Sequence, residues 1–120
     1  MDIQRLTIGN LELIKQCDNM FIDFLDSEEK YDENYLKREK INSFANDLNS
    51  ENNLLFVAKE QEKAVVFLYG YIEKRNSAKL PVAHLSFLYV NSEYRNRKIA
   101  TQLIENFLEY LKYRYTNSRS

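Results

Sequence analysis

Residues Ala64 to Ile72 read Ala-Val-Val-Phe-Leu-Tyr-Gly-Tyr-Ile and contain no charged side chain, the longest apolar run in the chain. It is about half the length an apolar helix needs to cross a bilayer, so it reads as a strand of a water-excluded core. Leu54 to Ala58 precedes it as a second strand, and the polar stretch from Lys59 to Lys63 joins the two as a hairpin of ordinary loop length. A third sheet-forming segment, Val82 to Val90, starts after Pro81, the only proline, where a missing N–H is tolerated. A final helix is predicted from near Ile99, because Ala100, Leu103, Ile104, Phe107, Leu108 and Leu111 share one wide apolar stripe. Burying each large side chain of that stripe contributes on the order of 1.5–3 kcal/mol before entropy is subtracted, so the helix must lie against the sheet.

The N-terminal half supplies the rest of the layers. Ile3 to Ile8 is a short strand, and Gly9-Asn10 breaks it and offers an N-cap, with Glu12 at the positive end of the helix that follows. Leu11, Ile14, Cys17, Phe21 and Phe24 recur at three- and four-residue steps and line one helical face. After an acidic connection, a second helix is expected from about Tyr35 to Leu48, with Ile41, Phe44, Ala45 and Leu48 on one side. The order strand, helix, helix, three strands, helix gives a mixed α/β (α+β) domain. No repeat, low-complexity tract or linker divides it. One domain is expected over residues 1–115, with a polar tail at 116–120.

Bulk charge narrows the partners. Seventeen Lys and Arg against 18 Asp and Glu give a net charge of −1, and the cations are scattered, so no nucleic-acid arm or membrane-surface patch is expected. Cys17 is the only cysteine and His84 the only histidine, which excludes an intramolecular disulfide and makes a Cys/His zinc site implausible; no metal is expected. The N-terminus has no basic-then-apolar signal architecture, and the default localisation is a reducing cytoplasm.

One segment carries chemistry. Leu88 to Ile104 joins an apolar strand to an amphipathic helix through a short polar loop holding Arg95, Arg97 and Lys98. The first turn of a helix has N–H groups without intrahelical partners and the positive end of the macrodipole, so a phosphate can be bound there largely by main chain. The three cations add Coulombic attraction. The competing reading is a set of solvated loop cations, slightly unfavourable to the dipole.

This segment resembles the acetyl-CoA motif of the GNAT acetyltransferase family: a strand ending Leu-x-Val, a polar spacer, Arg/Gln-x-x-Gly-x-Gly/Ala, then a helix. Leu88, Val90, Arg95, Ile99 and Ala100 carry the match, and the upstream order of elements is similar to the family's N-terminal half. Glu93-Tyr94-Arg95 and Ile99-Ala100-Thr101 are similar to the aminoglycoside 3-N-acetyltransferase branch. The resemblance implies that the strand backbone at Leu88, Tyr89 and Val90 meets the pantetheine arm of acetyl-CoA. The loop of Arg95, Asn96, Arg97, Lys98, Ile99, Ala100 and Thr101 would cradle the pyrophosphate. It further implies acetyl transfer to a primary amine by direct attack on the thioester carbonyl, with strand backbone donors stabilising the developing oxyanion and no metal or acyl-enzyme. The acidic residues between the first two helices, Asp26, Glu28 and Glu29 among them, would rim the acceptor side and attract a cationic small molecule of aminoglycoside or polyamine type. The alternative for them is a solvated charge run.

Three departures from the motif are visible. Lys98 stands where the family has glycine; a lysine is accommodated there if its φ is negative, and its ammonium could then contact a phosphate, but the expectation is that its bulk weakens acetyl-CoA binding without abolishing it. The strand Val82 to Val90 has no carboxylate to take the amine's proton. His84 and Ser86 occupy the comparable positions, two residues apart and on one face of a regular strand, and His84 is either the general base or a partly buried structural histidine. The chain is also expected to stop short of the family's C-terminal strands, which exposes the Val82 to Val90 edge and predicts a homo-oligomer, a dimer covering that edge. A truncated or degenerate non-catalytic module for CoA binding or assembly is the alternative to an active enzyme.

Overall fold

The computed structural model describes residues 1–27, 43–73 and 81–117. Four strands, β1 (Asp2–Leu6), β2 (Asn53–Glu60), β3 (Lys63–Glu73) and β4 (Val82–Val90), form one antiparallel sheet in the order β1-β2-β3-β4. The helices are α1 (Leu11–Ser27), a four-residue α2 (Phe44–Asp47) and α3 (Ile99–Asn117). The predicted mixed architecture is therefore the observed one. The expected second helix from Tyr35 to Leu48 is corrected at Ser43, which is extended at φ −92° and ψ 150° and caps a helix that starts only at Phe44; residues 35–42 lie outside the described residues.

The long apolar run is central because it is apolar at both strand parities. In β3, Phe67 faces α1 and α2, while Leu68 and Ile72 face α3, and all three are buried. One layer packs Leu6, Leu55, Val57 and Phe67 against Leu13, Ile14, Cys17 and Phe44. The other packs Leu54, Phe56 and Leu68 against Ile99, Leu103 and Phe107, with Phe56 and Phe107 edge to face at 5.9 Å. Cys17 is fully buried, and burial followed by the neighbouring Asp18 pushes its thiol far above the ordinary range, so it is packing rather than a nucleophile.

Local chemistry refines three expected boundaries. Asn10 does open α1, its carbonyl accepting from the Ile14 N–H at 3.0 Å, but its side chain turns back to accept from the Thr7 N–H at 2.8 Å. The β2–β3 loop tightens to Gln61-Glu62, because Glu60 pairs with Lys63 and Gln61 takes φ 57°. Helix α2 is fixed to α1 by Asp18, which accepts from the Ser43 hydroxyl at 2.6 Å and the Phe44 N–H at 2.9 Å. At its other end α3 continues through Asn117, beyond the expected domain edge, and Arg114 donates to the Glu51 carbonyl at 2.7 Å.

Candidate functional site

The loop after β4 is built by short-range hydrogen bonds. The Asn91 N–H extends the sheet to the Val65 carbonyl at 3.0 Å, and the Asn91 carbonyl accepts from the Tyr94 N–H at 2.8 Å, closing a 3-10 turn over Ser92–Tyr94. The Tyr94 hydroxyl donates to the Glu60 carboxylate, tying the loop to the β2–β3 turn. That bond is the main reason the Tyr94 phenol titrates above its ordinary range. The Arg97 guanidinium lies over the Tyr94 ring at 5.2 Å, and Arg95 Nε reaches the Val90 carbonyl at 3.4 Å.

The backbone then twists twice into the left-handed region, at Asn96 (φ 65°) and Lys98 (φ 61°). Asparagine tolerates this conformation; lysine pays roughly 1–2 kcal/mol for it. The condition for accommodating Lys98 without strain, a negative φ, is thus not met. The position needs the geometry that glycine adopts freely, which is a physical reason for glycine there in the motif.

Lys98 is also the residue that opens α3, since its carbonyl accepts the first helical bond from the Gln102 N–H at 3.2 Å. Its side chain has donors only and cannot cap the turn it begins. The N–H groups of Ile99, Ala100 and Thr101 have no protein acceptor among the described residues. They open on a hollow of about 550 Å³ bounded by Val90, Tyr94, Arg95, Asn96 and Lys98. Unmatched donors, a helix dipole and flanking cations favour an anion, which makes this hollow the candidate cradle.

Not every residue of the segment reaches that cradle. The Leu88 side chain packs on the α3 layer, while Tyr89 stacks on Phe67 at 5.8 Å and meets Phe24 edge on at 6.2 Å. Only their main chain remains for a ligand beside the sheet. A second hollow of about 600 Å³ lies between β1 and the far half of α3, but its cations serve the fold: Arg5 covers the Tyr110 ring and Arg114 holds the Glu51 carbonyl.

At the other end of β4 the pairing slips. Phe87 pairs with Tyr69 and Leu85 with Gly70, so Ser86 is an extra, unpaired residue and the alternation of faces breaks there. His84 and Ser86 therefore do not share the face that a regular strand would give them. His84 lies opposite Tyr71, its ring stacked at 4.7 Å and 17°, with Nε2 at 2.8 Å from the Glu73 carboxylate. Glu73 was not singled out in the sequence. The hairpin register that puts it diagonal to His84 is the one signal that could have found it.

Of the acidic rim, Glu28 and Glu29 lie outside the described residues, as does the side chain of Asp26. What is described is the approach to it: Phe24, in the last turns of α1, packs edge on against Phe87 of β4 at 5.1 Å, and Asp23 beside it is exposed. No group of metal-binding side chains occurs among the described residues, and no described helix is long and apolar enough to cross a membrane.

Comparison with solved structures places the whole fold. An aminoglycoside acetyltransferase from an uncultured soil metagenomic sample, in complex with sisomicin, superposes with a TM-score of 0.75 at 20% identity, over 94% of this chain and 70% of that one. A ribosomal-protein-alanine N-acetyltransferase from Brucella melitensis biovar Abortus 2308 gives 0.69 at 16%, over 96% and 75%. The aminoglycoside N-acetyltransferase AAC(6')-Iy, in complex with CoA, gives 0.61 at 19%, over 91% and 69%. Curated protein sequences yield no significant match. At these identities the superpositions speak for the fold alone. Membership rests on the profile of the acetyltransferase (GNAT) domain, which matches residues 14–119, nearly the full sequence and the candidate cradle with it; the chain belongs to the GNAT acetyltransferase family.

Proposed function

We propose that this chain is an N-acetyltransferase that moves the acetyl group of acetyl-CoA to a primary amine on a cationic small molecule, of aminoglycoside or polyamine type. The observation that carries the reading is the uncapped start of α3, where three main-chain donors, Arg95 and Lys98 surround one hollow and Arg97 stands next to it in the loop. These residues fit a pyrophosphate, and Leu88 to Val90 offer main chain for the pantetheine arm. Acetyl-CoA supplies the activated acyl group; the protein supplies position, main-chain donors on β4 and a proton acceptor, His84. Phe24 packs the last turns of α1 against β4, and the acidic residues Asp26, Glu28 and Glu29 that follow it in the sequence would draw in a cation. The sisomicin bound by one structural neighbour agrees in charge with such an acceptor.

Acetyl-CoA titrated into the protein should bind, and Lys98→Gly should bind it at least several-fold more tightly while gaining about 1 kcal/mol in urea unfolding, because both the left-handed strain and the added bulk disappear. A panel of acceptors, covering aminoglycosides, polyamines and an alanine-terminated peptide, should show acetyl transfer to the polycations first. Binding without transfer to any amine would establish the rival reading of a non-catalytic CoA-binding module, which the lysine in the cradle favours. No binding by either form would defeat both readings.

The outer edge of β4 is also proposed to pair with a second copy. Among the described residues no strand covers it, and Val82 to Val90 contain no Lys, Arg, Asp or Glu to discourage pairing. Antiparallel pairing across a twofold axis over the Val82 half of this edge would join two four-stranded sheets and leave the outward main chain of Leu88 to Val90 to the pantetheine arm. Light scattering at high micromolar concentration should give the mass of a dimer, and a clean monomer would count against it.

A further inference from the structure

We infer that Glu73 is a positioning residue for acetyl transfer: it fixes the His84 ring in the tautomer that leaves Nδ1 as the proton acceptor. The inference rests on the acetyltransferase reading of the site and assigns the geometry of its base.

Two contacts clamp His84. Its ring stacks on Tyr71, directly opposite on β3, and Nε2 lies 2.8 Å from Glu73 Oε2, diagonally across the same strand pair. A carboxylate only accepts, so Nε2 must carry the hydrogen, and in the neutral ring the lone pair is then on Nδ1. Among the described residues Nδ1 has no partner. The side chain nevertheless remains one-third exposed, at 33%, which a histidine serving only as core filler would not need.

Placement supports a role in proton transfer. His84 is on the strand whose outer edge is open, two residues before the unpaired Ser86, and at the opposite end of β4 from the anion cradle. It lies on the face that carries Phe87 and Tyr89, the one over which α1 ends. The titratable groups packed against it among the described residues are Tyr71 and Glu73, both on β3; from α1, Phe21 and Phe24 pack on β4. In the step, an N–H bond of the acceptor's ammonium breaks, its electron pair stays on nitrogen as the nucleophilic lone pair, and the proton passes to Nδ1. The ring becomes an imidazolium whose Nε2–H already faces an anion, so the charge formed is stabilised without rearrangement.

His84 is the only histidine, so its ring nitrogens can be read without assignment ambiguity in ¹⁵N-labelled protein. Long-range ¹H–¹⁵N spectra at a pH where the ring is neutral should show one tautomer, protonated on Nε2. Glu73→Ala should turn it into a mixture and lower kcat tenfold to a hundredfold, with KM for acetyl-CoA unchanged. Glu73 closes a strand and is part-exposed, so the variant should remain folded, which the backbone amide spectrum verifies. A wild-type ring protonated on Nδ1, or identical tautomer populations in both proteins, would overturn the inference. An unaltered kcat in a variant whose tautomers have mixed would do the same. The tautomer readout needs no turnover, so absence of acetyl transfer by the wild type would sink the functional reading and leave the assignment of Nε2 standing.

Discussion

Gly70→Ala is expected to destabilise the fold by about 1–3 kcal/mol, and Gly70→Val to remove cooperative unfolding altogether. An alanine in a strand ordinarily gains on glycine by some tenths of a kcal/mol, because the unfolded chain loses freedom. Here contact decides the sign. A Cβ at residue 70 would stand 2.7 Å from the His84 carbonyl oxygen and 2.8 Å from Phe107 Cζ, both far inside van der Waals contact. The carbonyl belongs to the paired strand β4 and Phe107 is only 3% exposed in the layer under α3, so neither neighbour is a loose end. Relief would require β4 to move off β3 or α3 to lift from the sheet. Valine adds two methyls to that conflict. Urea unfolding followed by circular dichroism measures it, and a Gly70→Ala midpoint equal to or above the wild type would show that the neighbours yield freely. Gly70→Ala with Phe107→Leu should recover part of the loss; the carbonyl contact would keep the rest.

The same glycine explains why the site was only partly legible in the sequence. Patterns with a period could be read: the doubly apolar β3, the stripe of α3, the helical spacing that buries Cys17. The loop between β4 and α3 was legible too as a strand-to-helix junction, because its residues are contiguous and the helix start makes its own donors. What the sequence hid depends on which residue stands opposite which. The slip at Ser86 occurs where Gly70 replaces a side chain, and it separates the faces of His84 and Ser86 that simple alternation joins. Glu73 reaches His84 only once that register is fixed, and Glu60 reaches Tyr94 across 34 residues. The Lys98 conformation was hidden for another reason: a left-handed φ leaves a trace in the sequence when glycine occupies it, and this chain has lysine there.

In the proposed function the two ends of β4 divide the work, and His84→Gln is the substitution that separates them. It should lower kcat by about 10²–10⁴-fold and leave the affinity for acetyl-CoA unchanged. Glutamine is close in size, and its amide can still donate to Glu73, so the clamp on one side survives. It has no basic nitrogen, so the proton of the incoming ammonium has no acceptor at that place. The cradle should be indifferent, because Val90 and His84 are six residues apart on one strand, roughly 20 Å at a strand's rise per residue. Stability should change by no more than about 0.5 kcal/mol, since the side chain is partly solvated and loses chiefly its stack on Tyr71. The effect should exceed that of Glu73→Ala, which leaves a basic ring in place but unoriented. Measured against pH, the variant's residual rate should rise as the acceptor amine loses its own proton, because substrate already deprotonated by solvent needs no base. Equal kcat in the two proteins at neutral pH would take His84 out of the mechanism, and a loss of acetyl-CoA binding would show that the two ends of the strand are not independent.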